Sequence, residues 1–451
     1  MEDVQRKTPR KFAASGPSRL VCLCKPMEAT TVGTTERRST SRWVVLTIIV
    51  LLQFQIQLVT FAPAALASPI IASLQLTRTE FGLIMSVLNI TIVICQALGS
   101  LLVDRGGLKV GLFAGIAVLA IGTAILLDMH SLRFFIVARI LQGVAIGVSY
   151  PVMGALIMAW FSKREQPYIN TIFAALMFLG IGAAMLLTVD VFRWFHGSLR
   201  LALGSYGASI LATAIVWLII GRSTQEVGSP EGTSAAAATA RNSSSLSKVL
   251  TMPVAWTLAL GVFAASWVYN MYFSFVPLFL ESGRGGSLAN ANRLGSLLPF
   301  SSVAGVIVFG GLATRATLRK HLLWTSCAVV ILGSIALFSG EGAMTKAGLL
   351  VAGFGLSGFI PVISTYVMSL PSMTPSLAAA FFVVLNVSLY MAGFLSPLAV
   401  GWVSQSSFGL RHTLALFSWI ELVAVLIFMR LPTIARVGAF RVEPRSTSFD
   451  H

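Results

Sequence analysis

Few residues in this chain have the types and spacing to do chemistry. Gly355-Leu-Ser357-Gly358 has the Gly-x-Ser-Gly spacing of a membrane serine hydrolase. That chemistry needs a histidine base within hydrogen-bond reach. The five histidines, His130, His196, His321, His412 and His451, all fall in loops, at the ends of apolar runs or in the tail. Ser357 therefore reads as a small residue packing helices. No His-Glu-x-x-His occurs, and no Gly-rich phosphate loop ending in Lys-Ser/Thr, which excludes zinc proteolysis and ATP-driven pumping by this chain. Cys22 and Cys24 form only a Cys-x-Cys, too little for zinc. Cys95 and Cys327 lie inside apolar runs, so no disulfide is expected. The reading is of a non-enzyme without cofactor or metal.

What remains is one cation, one acid and a set of amides and phenols inside apolar runs. Arg139 stands within 132–160. A charge there is costly and rarely faces lipid. Two readings stay open: it attracts an anionic substrate or takes part in coupling, or it holds its helix to neighbours through Asp128 or backbone carbonyls. Glu421 is the one carboxylate near the middle of a run, and it reads either as a coupling group or as a protonated or paired one. Gln53 and Gln57 are four apart, Asn89 and Gln96 seven, with Gln142 beside Arg139. Arg139, Gly143, Ile146 and Tyr150 share a helical face, as do Asn386, Tyr390, Gly393 and Pro397. Ser266, Asn270 and Ser274 recur every four residues, flanked by Trp267, Tyr269 and Tyr272, and Ser364, Thr365 and Tyr366 are consecutive. Each has a bland alternative, since such groups often join membrane helices by hydrogen bonds of about 0.6 kcal/mol.

The elements that position these residues are set by composition. Of 451 residues, 56% are hydrophobic and 11% charged, with mean hydropathy +0.84. A soluble domain carries roughly 25% charged residues, so this chain cannot build a soluble surface. Runs of spanning length, about 20 apolar residues, lie near 43–66, 80–102, 108–128, 132–160, 168–190, 199–221, 251–280, 294–314, 321–339, 346–370, 376–403 and 411–431. They are continuously apolar, as helices require, and not alternating like barrel strands. Residues 1–42 form a basic tail expected to be disordered, 222–250 a Ser/Ala/Gly-rich linker, and 432–451 a second short tail. The linker divides the chain into six plus six, 43–221 and 251–431. No apolar core precedes Trp43, so the tail is not a secretory signal, and Met1 and Met27 each qualify as the start.

The net charge of +16 would point to nucleic acid in a soluble protein. Sorted by loop, 23 of the 32 Lys and Arg fall on the side of the N-terminus and eight on the other, with Arg139 in a span. By the positive-inside rule both termini are cytoplasmic, and the charge is an orientation signal without a nucleic-acid partner.

After the second run stands Ser100-Leu-Leu-Val-Asp104-Arg105-Gly106-Gly107-Leu108-Lys109. It resembles the loop motif G-x-x-x-D-R-x-G-x-R/K-R/K of the major facilitator superfamily. Asp104, Arg105, Gly107 and Lys109 match, while Ser100 replaces the first Gly. After the eighth run, Gly311-Leu-Ala-Thr314-Arg315 is similar to a degenerate copy, with Thr314 in place of the acid. Arg139-Ile-Leu-Gln142-Gly143 resembles the R-x-x-Q-G pattern of span four, and Tyr150–Glu165 is similar to generic bacterial members. Loose similarity extends to the cyanate, nitrate and organic-anion subgroups. Span five has Gly180 and Gly182 without the Gly-Pro pair usual in drug/proton antiporters.

The resemblance implies an all-α membrane fold of twelve helices in two pseudo-symmetric six-helix halves. It implies that spans one, four, seven and ten line a midplane cavity, and that Asp104, Arg105, Gly107 and Lys109 form a cytoplasmic conformational latch. The expected substrate cavity comprises Gln53, Gln57, Asn89, Gln96, Arg139, Gln142, Tyr150, Asn270, Tyr366, Asn386 and Tyr390. The expected function is secondary transport of a small solute, an organic or inorganic anion, by alternating access in the bacterial inner membrane as a monomer. The alternatives are a proton-coupled drug or metabolite exporter of the same fold, and a non-transporting membrane sensor or assembly partner.

Overall fold

A computed structural model describes residues 31–162, 164–221, 245–282, 286–371 and 373–432, with side chains described except at 31–41, 97–106, 167 and 375. The chain divides into two units, Met1–Ser41 and Arg42–His451. The described residues are nearly all helical and hold no strand. Among the described residues, twelve helices, all in the second unit, are long and apolar enough to cross a membrane: Arg42–Ala65, Arg78–Gln96, Gly107–Asp128, Leu132–Trp160, Tyr168–Trp194, Leu199–Ile220, Pro253–Ser282, Leu288–Leu312, Ala316–Ser339, Ala343–Met368, Ser376–Val403 and Gly409–Met429. They are called spans one to twelve. Each coincides with an apolar run of the sequence to within a few residues.

Local rules set where the spans begin. Thr77 and Glu80 form a capping box at the start of span two, the Thr77 hydroxyl accepting from the Glu80 N–H while Glu80 accepts from the Thr77 N–H at 2.7 Å. Ser198, Ser287 and Thr374 cap spans six, eight and eleven in the simpler way. Between spans two and three the helix is broken at Gly107, whose φ of 74° is left-handed backbone that glycine adopts without cost. Span ten is interrupted between Leu356 and Phe359.

Because the spans alternate in direction, all ends fall on two faces. The proximal face carries the start of span one, and the distal face carries its end. Large apolar side chains such as Ile94, Ile219 and Leu332 are exposed, as suits lipid contact. Small residues let backbones approach: Gly143 lies against Leu88 and Thr91 of span two, Gly147 against Ile92 and Cys95, and Gly180 of span five against Phe54 and Gln57 of span one.

The distal ends of spans one to six are closed against those of spans seven to twelve. Arg78 Nη1 donates to the Ser404 carbonyl at 2.9 Å, and Asn292 Nδ2 to the Ala65 carbonyl at 2.9 Å. Phe61 and Phe178 meet Phe273 with ring centroids at 5.8 and 6.2 Å, and Phe81 meets Phe275 at 5.7 Å. Spans two and eleven cross closely there. Gly82 abuts the Pro397 carbonyl and Gly401 the Arg78 carbonyl, so a side chain at either glycine would collide with backbone.

Candidate functional site

Below that closed end lies a cavity of about 390 Å³. It is lined from spans one, two, four, five, seven, ten and eleven. Gly154, Asn170 and Asn386, all exposed, stand toward the proximal side. Phe61 belongs to both the lining and the distal aromatic cluster, so the cavity ends where the rings begin.

Eight of the eleven residues expected from the sequence line this cavity: Gln53, Gln57, Asn89, Gln96, Tyr150, Asn270, Asn386 and Tyr390. Gln57 Nε2 donates to the Tyr150 hydroxyl at 3.2 Å. Tyr150, Tyr269 and Tyr390 of spans four, seven and eleven all line the cavity. Gln53 Oε1 and Ser266 Oγ are buried without a hydrogen-bond partner among the described residues. Among the described lining residues none is charged.

Arg139, Gln142 and Tyr366 do not line the cavity. Arg139 is 1% exposed, eleven residues and three helical turns distal of Tyr150. Its guanidinium donates to the carbonyls of Val59 (3.3 Å) and Thr60 (2.9 Å) and to Gln142 Oε1 (3.0 Å). Gln142 in turn donates to Thr123 of span three. Of the two readings left open by the sequence, the contacts match the hold on backbone carbonyls, though through span one and without Asp128, which pairs with His130. Tyr366 donates to the Pro432 carbonyl, away from the cavity. The break in span ten turns Phe359 and Ile360 to the cavity instead, and Ser364 and Thr365 bond to their own helix.

The cavity also takes residues that sequence reasoning passed over: Thr60, Phe61, Asn170, Phe173, Met177 and Leu389 among them. Asn170, a lone amide opening an apolar run, was the available signal. Phe173 and Met177 carried none, because an apolar side chain reads the same facing lipid, core or cavity.

Other polar groups act as glue. Gln55 Nε2 donates to the Ser209 carbonyl of span six, Ser302 Oγ to the Gly353 carbonyl, and Ser396 Oγ to the Trp267 carbonyl. Of the expected latch, the side chains of Asp104 and Arg105 lie outside the described residues. Gly107 is the break between spans two and three, and the Lys109 carbonyl accepts from Trp217 Nε1 at 2.9 Å, tying span six to the start of span three.

On the proximal face, Arg42 Nη1 meets Glu165 Oε1 at 3.4 Å, joining span one to the loop after span four. Glu165 also accepts from the Ser162 N–H and hydroxyl, both at 2.9 Å. Those two bonds first, and the Arg42 charge after them, hold its carboxyl below the usual carboxylate range.

Among the described residues, twelve spans surround a central cavity without a charged lining side chain, closed at one face, and such an arrangement defines a membrane carrier. The model of the Major Facilitator Superfamily matches residues 45–397, and the chain belongs to that family of transporters. A curated relative, the probable sulfoacetate transporter SauU of Cupriavidus necator, is 23% identical over 84% of this chain and 100% of its own length. Among solved structures, a bacterial homologue of the human lysosomal transporter Spinster in an inward-facing, unoccupied conformation superposes with TM-score 0.75 at 16% identity, covering 90% of this chain and 99% of that one. The same homologue's inward-facing, occupied conformation gives 0.72 at 16% identity, covering 89% and 99%. These likenesses carry the fold.

Proposed function

We propose that the chain carries a small organic acid, of the sulfonate or carboxylate class, across the membrane by alternating access, and leaves it chemically unchanged. The observation that carries the reading is the neutral donor set: the hydroxyls of Tyr150, Tyr269, Tyr390 and Ser266 with the amides of Gln53, Gln57 and Asn386, and no carboxylate among the described lining residues to repel an anion. Oxygen-rich anions accept strong hydrogen bonds from such donors. The relative's sulfoacetate supports the same class.

In this reading the two six-helix halves are 43–221 and 251–431, joined by the linker 222–250, and they rock about the cavity. The proximal face is cytoplasmic, as the distribution of Lys and Arg supports. The distal-closed state is then inward-open, in a bacterial inner membrane, and one copy of the chain holds a complete cavity. Asp104, Arg105, Gly107 and Lys109 act as the cytoplasmic latch. Asp104→Asn is expected to slow transport while membrane expression is kept, and unchanged flux removes the latch.

A second reading is export of uncharged amphipathic compounds, favoured by the apolar part of the lining at Phe61, Phe173, Phe359 and Ile360. Counterflow of labelled sulfoacetate in proteoliposomes decides between them. Exchange competed by other small sulfonates and carboxylates supports the first. Competition only by neutral compounds supports the second. Thermal stabilisation by ligand without any counterflow would instead mark a sensor.

A further inference from the structure

Two amide oxygens meet at one wall of the central cavity. Asn89 of span two and Asn270 of span seven both line it. Their nitrogens are already engaged, and that fixes which way each amide faces. Asn89 Nδ2 donates to the Met85 carbonyl of its own helix at 3.2 Å and to the Gly393 carbonyl of span eleven at 3.1 Å. Asn270 Nδ2 donates to the Ser266 carbonyl at 2.8 Å. Each Oδ1 is therefore an acceptor, and neither receives a hydrogen bond from another described residue. Gly393 lets the two oxygens come together. A Cβ there would stand 2.7 Å from Asn89 Oδ1 and 3.0 Å from Asn270 Oδ1, so both occupy the space a side chain would need. Asn270 is 7% exposed, and buried acceptors of this kind are normally paired. Two such oxygens side by side repel unless a donor sits between them.

A third acceptor, Gln53 Oε1 of span one, is buried and unpartnered on another residue of the lining. The acid group of a solute brings only further acceptors and satisfies none of these atoms. It suits the donors instead. The Tyr150 hydroxyl accepts from Gln57 Nε2, so its own proton is left to give, and Ser266 Oγ has no partner. The described lining residues carry no charge, so a solute with a net charge enters uncompensated. A solute with an ammonium beside its acid group is neutral overall and brings the missing donors.

We propose that the preferred solute is a small zwitterion, an amino-sulfonate or amino-carboxylate, whose ammonium is held by Asn89 Oδ1 and Asn270 Oδ1 beside Gly393. The inference rests on the organic-acid reading above and narrows it. The acid group meets the hydroxyls of Tyr150 and Ser266, and the ammonium meets the two amide oxygens. Tyr390, three residues before Gly393 on the same face of span eleven, adds an aromatic ring to this part of the lining, a group to which ammonium ions are drawn. A solute without the amine leaves both oxygens unpaired, so Asn89 and Asn270 discriminate by the group it lacks.

The test uses the full-length, detergent-purified protein and three sulfonates of similar size. Ethanesulfonate has no donor at its far carbon, hydroxyethanesulfonate has a neutral one, and aminoethanesulfonate has an ammonium. Thermal stabilisation reads binding without transport. The amino compound is expected to act at a concentration roughly tenfold below that of ethanesulfonate, with the hydroxy compound between them. Equal concentrations overturn the proposal. So does stabilisation by sodium chloride over potassium chloride with none by the amino compound, which would place a metal cation between the oxygens. Asn270→Leu is expected to bring the amino compound and ethanesulfonate to the same concentration, and a ratio as large as in wild type overturns the assignment. Should Asn270→Leu not fold, Asn270→Asp keeps the shape and adds a negative charge. It is expected to widen the ratio in favour of the amino compound, and an unchanged ratio overturns the site. Counterflow in proteoliposomes keeps the two readings apart. An amino compound that stabilises at the lower concentration but is not exchanged supports the ammonium site and removes the carrier reading. Exchange of sulfoacetate competed equally by ethanesulfonate and aminoethanesulfonate keeps the carrier reading and overturns the ammonium site.

Discussion

Pro63 and Arg139 compensate for one another. Pro63 sits inside the helix of span one and lacks the N–H that would bond the Val59 carbonyl four residues earlier. Arg139 of span four donates to that carbonyl and to the next, Thr60. The same relation recurs in span eleven. Pro397 leaves the Gly393 carbonyl without its helical donor, and Asn89 Nδ2 of span two supplies one at 3.1 Å. Prolines in membrane helices are tolerated when neighbouring groups satisfy the freed backbone in this way.

Arg139→Gln is expected to lower thermal stability. The Val59 carbonyl, which Pro63 leaves without a helical donor, loses its partner, and an orphaned buried group costs about 1–3 kcal/mol. Melting of the detergent-purified protein measures the loss. Sulfoacetate counterflow by the fraction that folds should persist with a similar KM. An unchanged melt with abolished counterflow would return Arg139 to the substrate.

Gly82→Val is expected to disfavour the distal-closed state, because the new side chain meets the Pro397 carbonyl at the crossing of spans two and eleven. Spin-label distances between the distal ends of these spans report the outcome. A longer mean distance in the variant than in wild type is expected, and an identical distribution counts against a tight crossing at Gly82.

Tyr150→Phe removes one hydroxyl from the cavity and the acceptor of Gln57 Nε2. A hydrogen bond of ordinary net strength is worth about 1 kcal/mol, so the KM for sulfoacetate should rise roughly fivefold with little change in expression. A KM equal to wild type would place the substrate elsewhere in the cavity.

The Arg42–Glu165 contact is half-exposed, and its pH dependence follows from the lowered pKa of Glu165. A carboxyl whose folded pKa is depressed stabilises the fold above its unfolded value, near 4.3, and loses that contribution as pH falls through the folded one. The difference in melting temperature between wild type and Glu165→Gln should be constant from about pH 6 to pH 8 and shrink as the pH falls below about 4.3. A difference that shrinks near neutral pH would show that Glu165 is not held in its ionised form.

Twelve apolar runs and the asymmetry of Lys and Arg were open to reading from residue order, because insertion in a bilayer is decided by each segment's own length and composition. Asp104-Arg105 with Gly107 and Lys109, and Arg139 with Gln142 and Gly143, marked the family for the same reason, as patterns within single segments. Helical spacing also grouped Gln53 with Gln57 and Asn386 with Tyr390, and both pairs line the cavity. Periodicity says which residues share a face of one helix; it is silent on what that face meets. Arg139 and Tyr150 shared a face eleven residues apart, yet one holds the backbone of span one and the other lines the cavity, because depth along the helix changes the neighbour. Tyr366 was lost to the cavity by the break after Leu356. Whether Arg139 met a substrate or a carbonyl depended on Pro63, 76 positions away in sequence, and only the packing of span one against span four brought the freed carbonyl to the guanidinium.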